Sequence, residues 1–232
     1  MTEHAMILQT YNLTRTYQVG RQKVQALNAV DIAIQKGEFV AIMGPSGCGK
    51  STLLNLIGGL DQPTDGKVLL EGKNLADFPE KALAVLRREK IGFIFQRFDL
   101  FPTLTARENV EFPLLLAGKS HEERNSRSDQ LLDLVGLTSK GDALPEELSG
   151  GQQQRVGIAR ALANTNGILL ADEPTGNLDS ATADEIMDAL MTLARGRNLT
   201  LIMVTHDPEV AAHADRIIRL LDGHVIKDEG EL

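Results

Sequence analysis

Eight residues, Gly44-Pro45-Ser46-Gly47-Cys48-Gly49-Lys50-Ser51, stand between two apolar runs, Phe39-Val40-Ala41-Ile42-Met43 and Leu53-Leu54-Asn55-Leu56-Ile57. The first run reads as a buried strand and the second as a helix, so the eight residues form a glycine-rich turn from strand to helix. Such a turn gathers backbone N–H groups and the positive end of a helix around one point, which suits a phosphate.

The turn fits the Walker A pattern G-x-x-x-x-G-K-S/T. Gly44, Gly47 and Gly49 allow backbone conformations that a Cβ opposes, and bring N–H groups close to phosphate oxygens. Lys50 places a full positive charge beside the β- and γ-phosphates of ATP, and Ser51 offers its hydroxyl to Mg²⁺. Pro45, Ser46, Cys48 and Thr52 complete the ATP-binding stretch. Cys48 stands at a variable position of the turn and reads as a small side chain that fits, in preference to a redox switch.

The rest of the chain limits what such a turn can serve. At 232 residues, 42% hydrophobic and 24% charged, the composition is that of an ordinary globular protein, one domain or two small lobes sharing a core. A net charge of −8 and a pI near 5.2 argue against nonspecific nucleic-acid binding, which needs a basic surface; a local basic patch stays open. A single cysteine excludes an intrachain disulfide and any cysteine-cluster metal site. Met1-Thr2-Glu3-His4-Ala5-Met6 lacks the features of a signal peptide. No apolar run approaches the ~20 residues of a membrane-spanning helix, so any work at a membrane is expected from the aqueous side through a partner.

Alternating patterns predict antiparallel strands over 7–13, 23–34 and 66–70, with a turn at Gly20 and a loop at Asp61–Gly66. A buried strand is expected at 91–95, and residues 105–138 read as helical with a stop near Gly136. Strands at 168–172, 199–204, 216–220 and 224–227 then alternate with helices at 180–195 and 208–213. Alternation of this kind implies a mostly parallel, two-sided sheet. The helical stretch 97–165 interrupts it as an insertion.

Gly167-Ile168-Leu169-Leu170-Ala171-Asp172-Glu173 is an apolar strand ending in two carboxylates, the form of a Walker B motif. Ligands of a doubly wound sheet collect at the carboxyl ends of strands, so this acid pair is expected near the phosphates held by Lys50 and Ser51. Successive strand residues point opposite ways, which gives the acids separate jobs. Asp172 orients Mg²⁺, directly or through water, and Glu173 polarises the attacking water as general base. In Leu148-Ser149-Gly150-Gly151-Gln152-Gln153-Gln154-Arg155, Ser149 stands where a helix N-cap would, and the two glycines permit close backbone approach to an anion.

With the phosphate turn and the acid pair, in this order, that segment resembles the signature of ATP-binding cassette (ABC) ATPases, over nearly the whole chain. The resemblance implies an α/β P-loop NTPase (RecA-like) core with a mostly parallel sheet, an N-terminal antiparallel β subdomain and an inserted α-helical subdomain. A single ABC domain is expected over 7–228, its antiparallel β layer and core formed by 7–96 and 166–228. The resemblance further implies that Tyr17 stacks on adenine, that Gln96 senses Mg²⁺ and the attacking water, and that Asp179 of the D-loop-like Asn177-Leu178-Asp179 lies near a dimer seam. His206 resembles the switch histidine that contacts the γ-phosphate. Mg²⁺ is then held by Ser51, Gln96 and Asp172. Two subunits pack head to tail as a homodimer, each ATP lying between the Walker A turn of one and the Ser149-Gly150-Gly151-Gln152 helix start of the other.

Phe95–Val110 and Asp172–Asp179 look like the subgroup of Lol-type lipoprotein-release, MacB-type efflux and FtsE-type division ATPases. These serve integral-membrane permeases with large periplasmic domains, from the cytoplasmic side of the inner membrane, which they touch through the permease alone. The short tail to Leu232 is expected to carry no further regulatory domain. Phe98, Leu100, Phe101 and Leu104 read either as a groove for a permease helix or as local core. A competing class, the soluble ABC ATPases of DNA repair, chromosome structure or translation, usually carries a second cassette, a long coiled-coil insertion or zinc cysteines, and none is present. Intact Lys50, Glu173 and His206 oppose a module that binds ATP without turnover.

Overall fold

Gly20 turns the first hairpin with φ +61, in the left-handed region that a residue without Cβ adopts freely. Around it the computed structural model, which describes residues 5–164 and 167–230, folds β1 (Met6–Val19) onto β2 (Gln22–Val30). There follow β3 (Ala33–Gln35), β4 (Phe39–Met43), α1 (Lys50–Ile57), β5 (Asp65–Leu70), β6 (Lys73–Asn74), α2 (Glu80–Lys90) and β7 (Ile91–Ile94). Then come α3 (Ala106–Leu116), α4 (His121–Leu134), α5 (Gly150–Ala161), β8 (Ile168–Asp172), α6 (Ser180–Gly196), β9 (Thr200–Thr205), α7 (Pro208–Ala211), β10 (Arg216–Leu221) and β11 (His224–Glu229).

The chain packs as two compact units, one formed by the residues up to Arg87 and from Asn198 on, the other by Arg88–Arg197. The helical stretch expected over 97–165 falls within the second, and its boundary at 165 and 166 lies outside the described residues. So do the first four residues and the last two.

In the first unit an antiparallel sheet runs β2-β1-β5-β6, with β3 also paired to β1. Register shifts around Arg15 mark a bulge in β1. Before it the strand pairs with β3 and β5, and beyond it chiefly with β2, because a bulge bends the strand and sharpens its twist. The same bulge breaks the apolar alternation, which is why the sequence pattern stops at residue 13 while the strand runs to Val19. A parallel layer places β4 between β10 and β9, with β11 antiparallel to β10. Every residue of β4 and β9 is buried, as in parallel strands covered on both faces. Arg216 ties this layer together, donating to Asp228 at 2.5 and 2.6 Å and to Glu38 at 3.1 Å.

In the second unit β7 and β8 pair in parallel, from Ile91↔Ile168 to Ile94↔Ala171, and α3, α4 and α5 pack with one another. Capping boxes start α3 (Thr105 with Glu108) and α4 (Ser120 with Glu123), each satisfying two backbone donors that the helix leaves open. Asn109 is fully buried; its amide donates to the carbonyls of Phe101, Leu104 and Thr105 and accepts from Phe101 N, fixing the loop before α3.

The α/β architecture expected from the sequence is present, and the remaining strands and helices fall within a few residues of their expected limits, except that 23–34 divides into β2 and β3, and 105–138 into α3 and α4 with Gly118 at φ +73 between them. The sequence pattern does not bring out β6 or α2. β6 has two residues, too few for a period, and α2 buries only Leu83, so its apolar stripe is too narrow to register. No helix among the described residues is long and apolar enough to cross a membrane.

Candidate active site

The phosphate turn belongs to the first unit. β4 delivers Gly44 at the carboxyl end of the parallel layer, where a Cβ would overlap the Leu220 carbonyl and the Cys48 sulfur. Gly47 has φ +81 and Gly49 φ +106, and a Cβ on Gly49 would overlap the Ala26 carbonyl. Glycine is thus required at these positions by contact or by conformation. Cys48 N donates to Pro45 O at 3.3 Å and Gly223 N to Cys48 O at 3.0 Å, which pins the turn to the β10–β11 hairpin. Cys48 is buried; burial pushes its thiol up, and the Lys50 charge offsets part of that.

Helix α1 begins at Lys50 with Gly49 as N-cap, no side-chain cap bond and no acidic residue in its first turn. No carboxylate of its own first turn therefore offsets its positive end. Lys50 is 6% exposed and curls back over the turn, donating to Gly44 O at 2.8 Å and Pro45 O at 3.0 Å. Ammonium, helix start and glycine turn fit one polyanion, and the donor set suits a nucleotide phosphate chain. Ser51 and Thr52 occupy the first turn of the same helix.

His206 comes to the same place. It follows β9, and together with Gly44, Pro45, Ser46 and Arg219 it lines a cavity of about 450 Å³. Tyr17 lies elsewhere in this unit, its hydroxyl donating to Asp61 at 2.8 Å and one ring face covered by the Arg15 guanidinium, 4.6 Å from the centroid. Arg15 in turn pairs with Asp61 at 2.7 Å. Neither Arg15 nor Asp61 is picked out by the sequence, although Arg15 two positions from an aromatic on one strand face is a pattern that could have been read.

In the second unit, the flush ends of β7 and β8 bring Gln96 and Glu173 together. A Cβ on Gly176 would lie 2.8 Å from Gln96 Nε2 and 3.3 Å from Glu173 Oε2, so amide and carboxylate face the same glycine. Asn177 Nδ2 donates to Gln96 O at 2.7 Å. Glu173 has φ +45, an uncommon conformation for a residue with a side chain. Asp172 ends β8 and is partly exposed.

Ser149 is the N-cap of α5, accepting from Gln152 N at 3.3 Å, while Gln152 Oε1 accepts from Ser149 N at 3.0 Å. The signature glutamine thus completes a capping box. The glycines also answer to packing within the chain: a Cβ on Gly151 would come 2.5 Å from the Thr182 methyl, and one on Gly150 would touch Leu178. Asp179 caps α6, accepting from Thr182 N at 3.1 Å and Thr182 Oγ1 at 2.8 Å, and these bonds hold its carboxyl below the usual range. None of Phe98, Leu100, Phe101 and Leu104 is buried, which weighs against local core. Phe101 and Phe95 instead line a cavity of about 280 Å³ with Phe93, Pro113 and Arg160.

A family model described as "ABC transporter" matches residues 27–176. The ABC transporter ATP-binding protein MJ0796 of Methanocaldococcus jannaschii is 50% identical over 222 residues, 94% of each chain. YknY of Bacillus subtilis, another ABC transporter ATP-binding protein, is 44% identical over 95% of each. The macrolide export ATP-binding/permease protein MacB 2 of Aeromonas hydrophila is 51% identical over 97% of this chain, which spans only 34% of that protein. Among solved structures, the dimeric post-hydrolysis state of the MJ0796 cassette bound to ADP and Pi superposes with a TM-score of 0.89, at 47% identity, covering 96% of this chain and 98% of that one.

Proposed function

The chain belongs to the ABC transporter family of ATP-binding cassettes and is an ATPase, and from that premise we propose that two copies hydrolyse ATP head to tail to drive a membrane permease. The observation that carries the catalytic reading is the convergence of Gln96 and Glu173 on Gly176. An amide and a carboxylate side by side can hold one water and take its proton, which is what attack on a terminal phosphate requires.

The turn Gly44–Ser51 with Thr52 binds the phosphate chain of ATP, Lys50 leaving its carbonyl partners for phosphate oxygens, and Tyr17 offers the adenine its face opposite Arg15. Glu173 accepts the proton of the attacking water, and His206 contacts the γ-phosphate. Ser51, Gln96 and Asp172 are assigned to Mg²⁺, which when bound neutralises charge on the phosphates; this follows the family pattern. Ser149, Gly150, Gly151 and Gln152 meet the ATP of the partner subunit, with Asp179 near the seam. ATP then holds the pair closed, and the affinity difference between ATP and ADP sets how far it reopens.

The MacB relatives place a cassette of this kind in one chain with a permease, and by that analogy the partner is a permease of the MacB, LolCE or FtsX type with a periplasmic domain. The work is export, lipoprotein release or force transmission in the envelope, done from the cytoplasmic side of the inner membrane and touching it through the permease alone. The apolar wall of half-buried Phe95 and exposed Phe101 is the surface assigned to a permease helix. Phosphate release and size-exclusion chromatography with ATP test the core of this reading. Glu173→Gln is expected to abolish steady turnover while trapping a nucleotide-bound dimer; turnover at the parent rate would remove Glu173 from its role. Co-purification from detergent-solubilised membranes tests the partner, and recovery of a nuclease or ribosome in place of a permease would sink that part.

A further inference from the structure

One face of α5 holds both loops that carry the proposed catalytic pair. Arg160 donates to Phe98 O at 2.8 Å and Asp99 O at 2.5 Å, just beyond Gln96, where Phe98 and Asp99 have φ of +62 and +47. Six residues earlier on the helix, Gln154 donates through Nε2 to Pro174 O at 2.6 Å, in the residue after Glu173. Between them a Cβ on Gly157 would touch Phe98 O and Gln154 Oε1.

Gln154 is fully buried, and its Oε1 is one of few buried side-chain atoms without a hydrogen-bond partner among the described residues. A buried acceptor left unsatisfied destabilises a fold, and an apolar side chain of the same shape would remove that penalty only by leaving the buried Pro174 carbonyl without its donor. The useful half of the amide is its donor, and that donor reaches the turn in which Glu173 is held. There Glu173 combines a left-handed backbone with a following proline and closes a turn through Gly176 N to Glu173 O at 3.0 Å. Conformations of this kind persist only where the surroundings over-determine them.

We propose that Gln154 is a positioning residue for Glu173, acting through the Pro174 carbonyl. The inference rests on the reading of Glu173 as general base and names what sets its aim. Gln154→Met keeps the length of the side chain and removes both the donor and the unsatisfied oxygen. It lowers kcat about tenfold to a hundredfold, the scale of a small misplacement of a reacting group, and leaves KM for ATP unchanged, while Tm falls only by what the Pro174 carbonyl loses with its donor, offset by removal of the unsatisfied oxygen. In the Glu173→Gln background the same substitution adds no further loss to the residual single-turnover rate, since two residues that act through one group are not additive. Gln154→Glu supplies a second readout: burial raises a carboxyl pKa, and only the protonated acid donates. Its kcat relative to the parent therefore rises as pH falls.

Full kcat in Gln154→Met with Glu173→Gln inactive overturns the inference and leaves the reading of Glu173 standing. A markedly lowered Tm with an undiminished further loss in the double variant assigns Gln154 to plain structure and overturns it as well. Parent-like turnover in Glu173→Gln alone removes the reading beneath. If Gln154→Met does not fold, a flat pH ratio for Gln154→Glu is the result that sinks the proposal.

Discussion

Met43 and Thr205 are register partners in the parallel pairing of β4 and β9, so Gly44 and His206 leave their strands at the same level. A histidine some 160 residues downstream of the phosphate turn in sequence thereby reaches the cavity lined by Gly44, Pro45 and Ser46. His206→Ala is expected to lower kcat about a hundredfold, the usual effect of losing one donor to developing charge, with ATP binding retained. Stopped-time phosphate release beside equilibrium nucleotide binding separates the two. Loss of binding with an unchanged kcat would place His206 in ground-state contact only.

The glycines of the turn are not equivalent, and the difference can be measured. Alanine at Gly44 would overlap a backbone carbonyl, whereas alanine at Gly47 meets nothing within 4 Å and suffers only from its φ of +81. Gly47→Ala should destabilise by about 1 to 2 kcal/mol, the penalty of a left-handed residue with a side chain, and Gly44→Ala by more. Urea unfolding of the two variants reports the order; the reverse order would mean that β4 or β10 yields more easily than their burial implies.

Tyr17 has one face covered by Arg15 and its hydroxyl held by Asp61, leaving the ring fixed before any base arrives. Tyr17→Ala is expected to raise KM for ATP about fivefold to a hundredfold, since stacking on an aromatic contributes roughly 1–3 kcal/mol per base. Tyr17→Phe keeps the ring and loses the Asp61 bond, and should show a smaller rise. Equal effects in the two variants would assign the contribution to the hydroxyl in place of the stack.

What could be read in advance was local. The phosphate turn, the β8 acid pair and the Ser149 cap each depend on neighbours within a few residues, and strand or helix period makes them visible. The meeting of Gln96 with Glu173, and the hold of Gln154 on Pro174, join residues far apart in the chain through pairing of β7 with β8 and packing of α5. No periodicity encodes such contacts. The same holds for Asp61, whose loop was legible as a loop while its grip on Arg15 and Tyr17 was not. The signature glycines were legible as a place for close approach, but their nearest neighbours within the chain proved to be Leu178 and Thr182.

Cys48 gives the turn a pH dependence that its sequence position alone does not suggest. Burial raises its thiol pKa, with Lys50 opposing, so the folded chain holds this proton more tightly than the unfolded one. The resulting stabilisation is fully present below the ordinary thiol range and is lost as pH rises through the folded value. Cys48→Ala loses the packing of the buried sulfur at any pH, and its deficit against the parent should shrink as pH climbs into the alkaline range, where the parent alone loses stability. Denaturation midpoints of both chains at matched pH measure it. Alkylation by iodoacetamide offers a second check, because only the thiolate reacts: in the folded parent it should be slow at neutral pH and accelerate only beyond the pH at which an exposed thiol does. Rapid labelling at neutral pH, without unfolding, would show that the Lys50 charge outweighs burial at this sulfur.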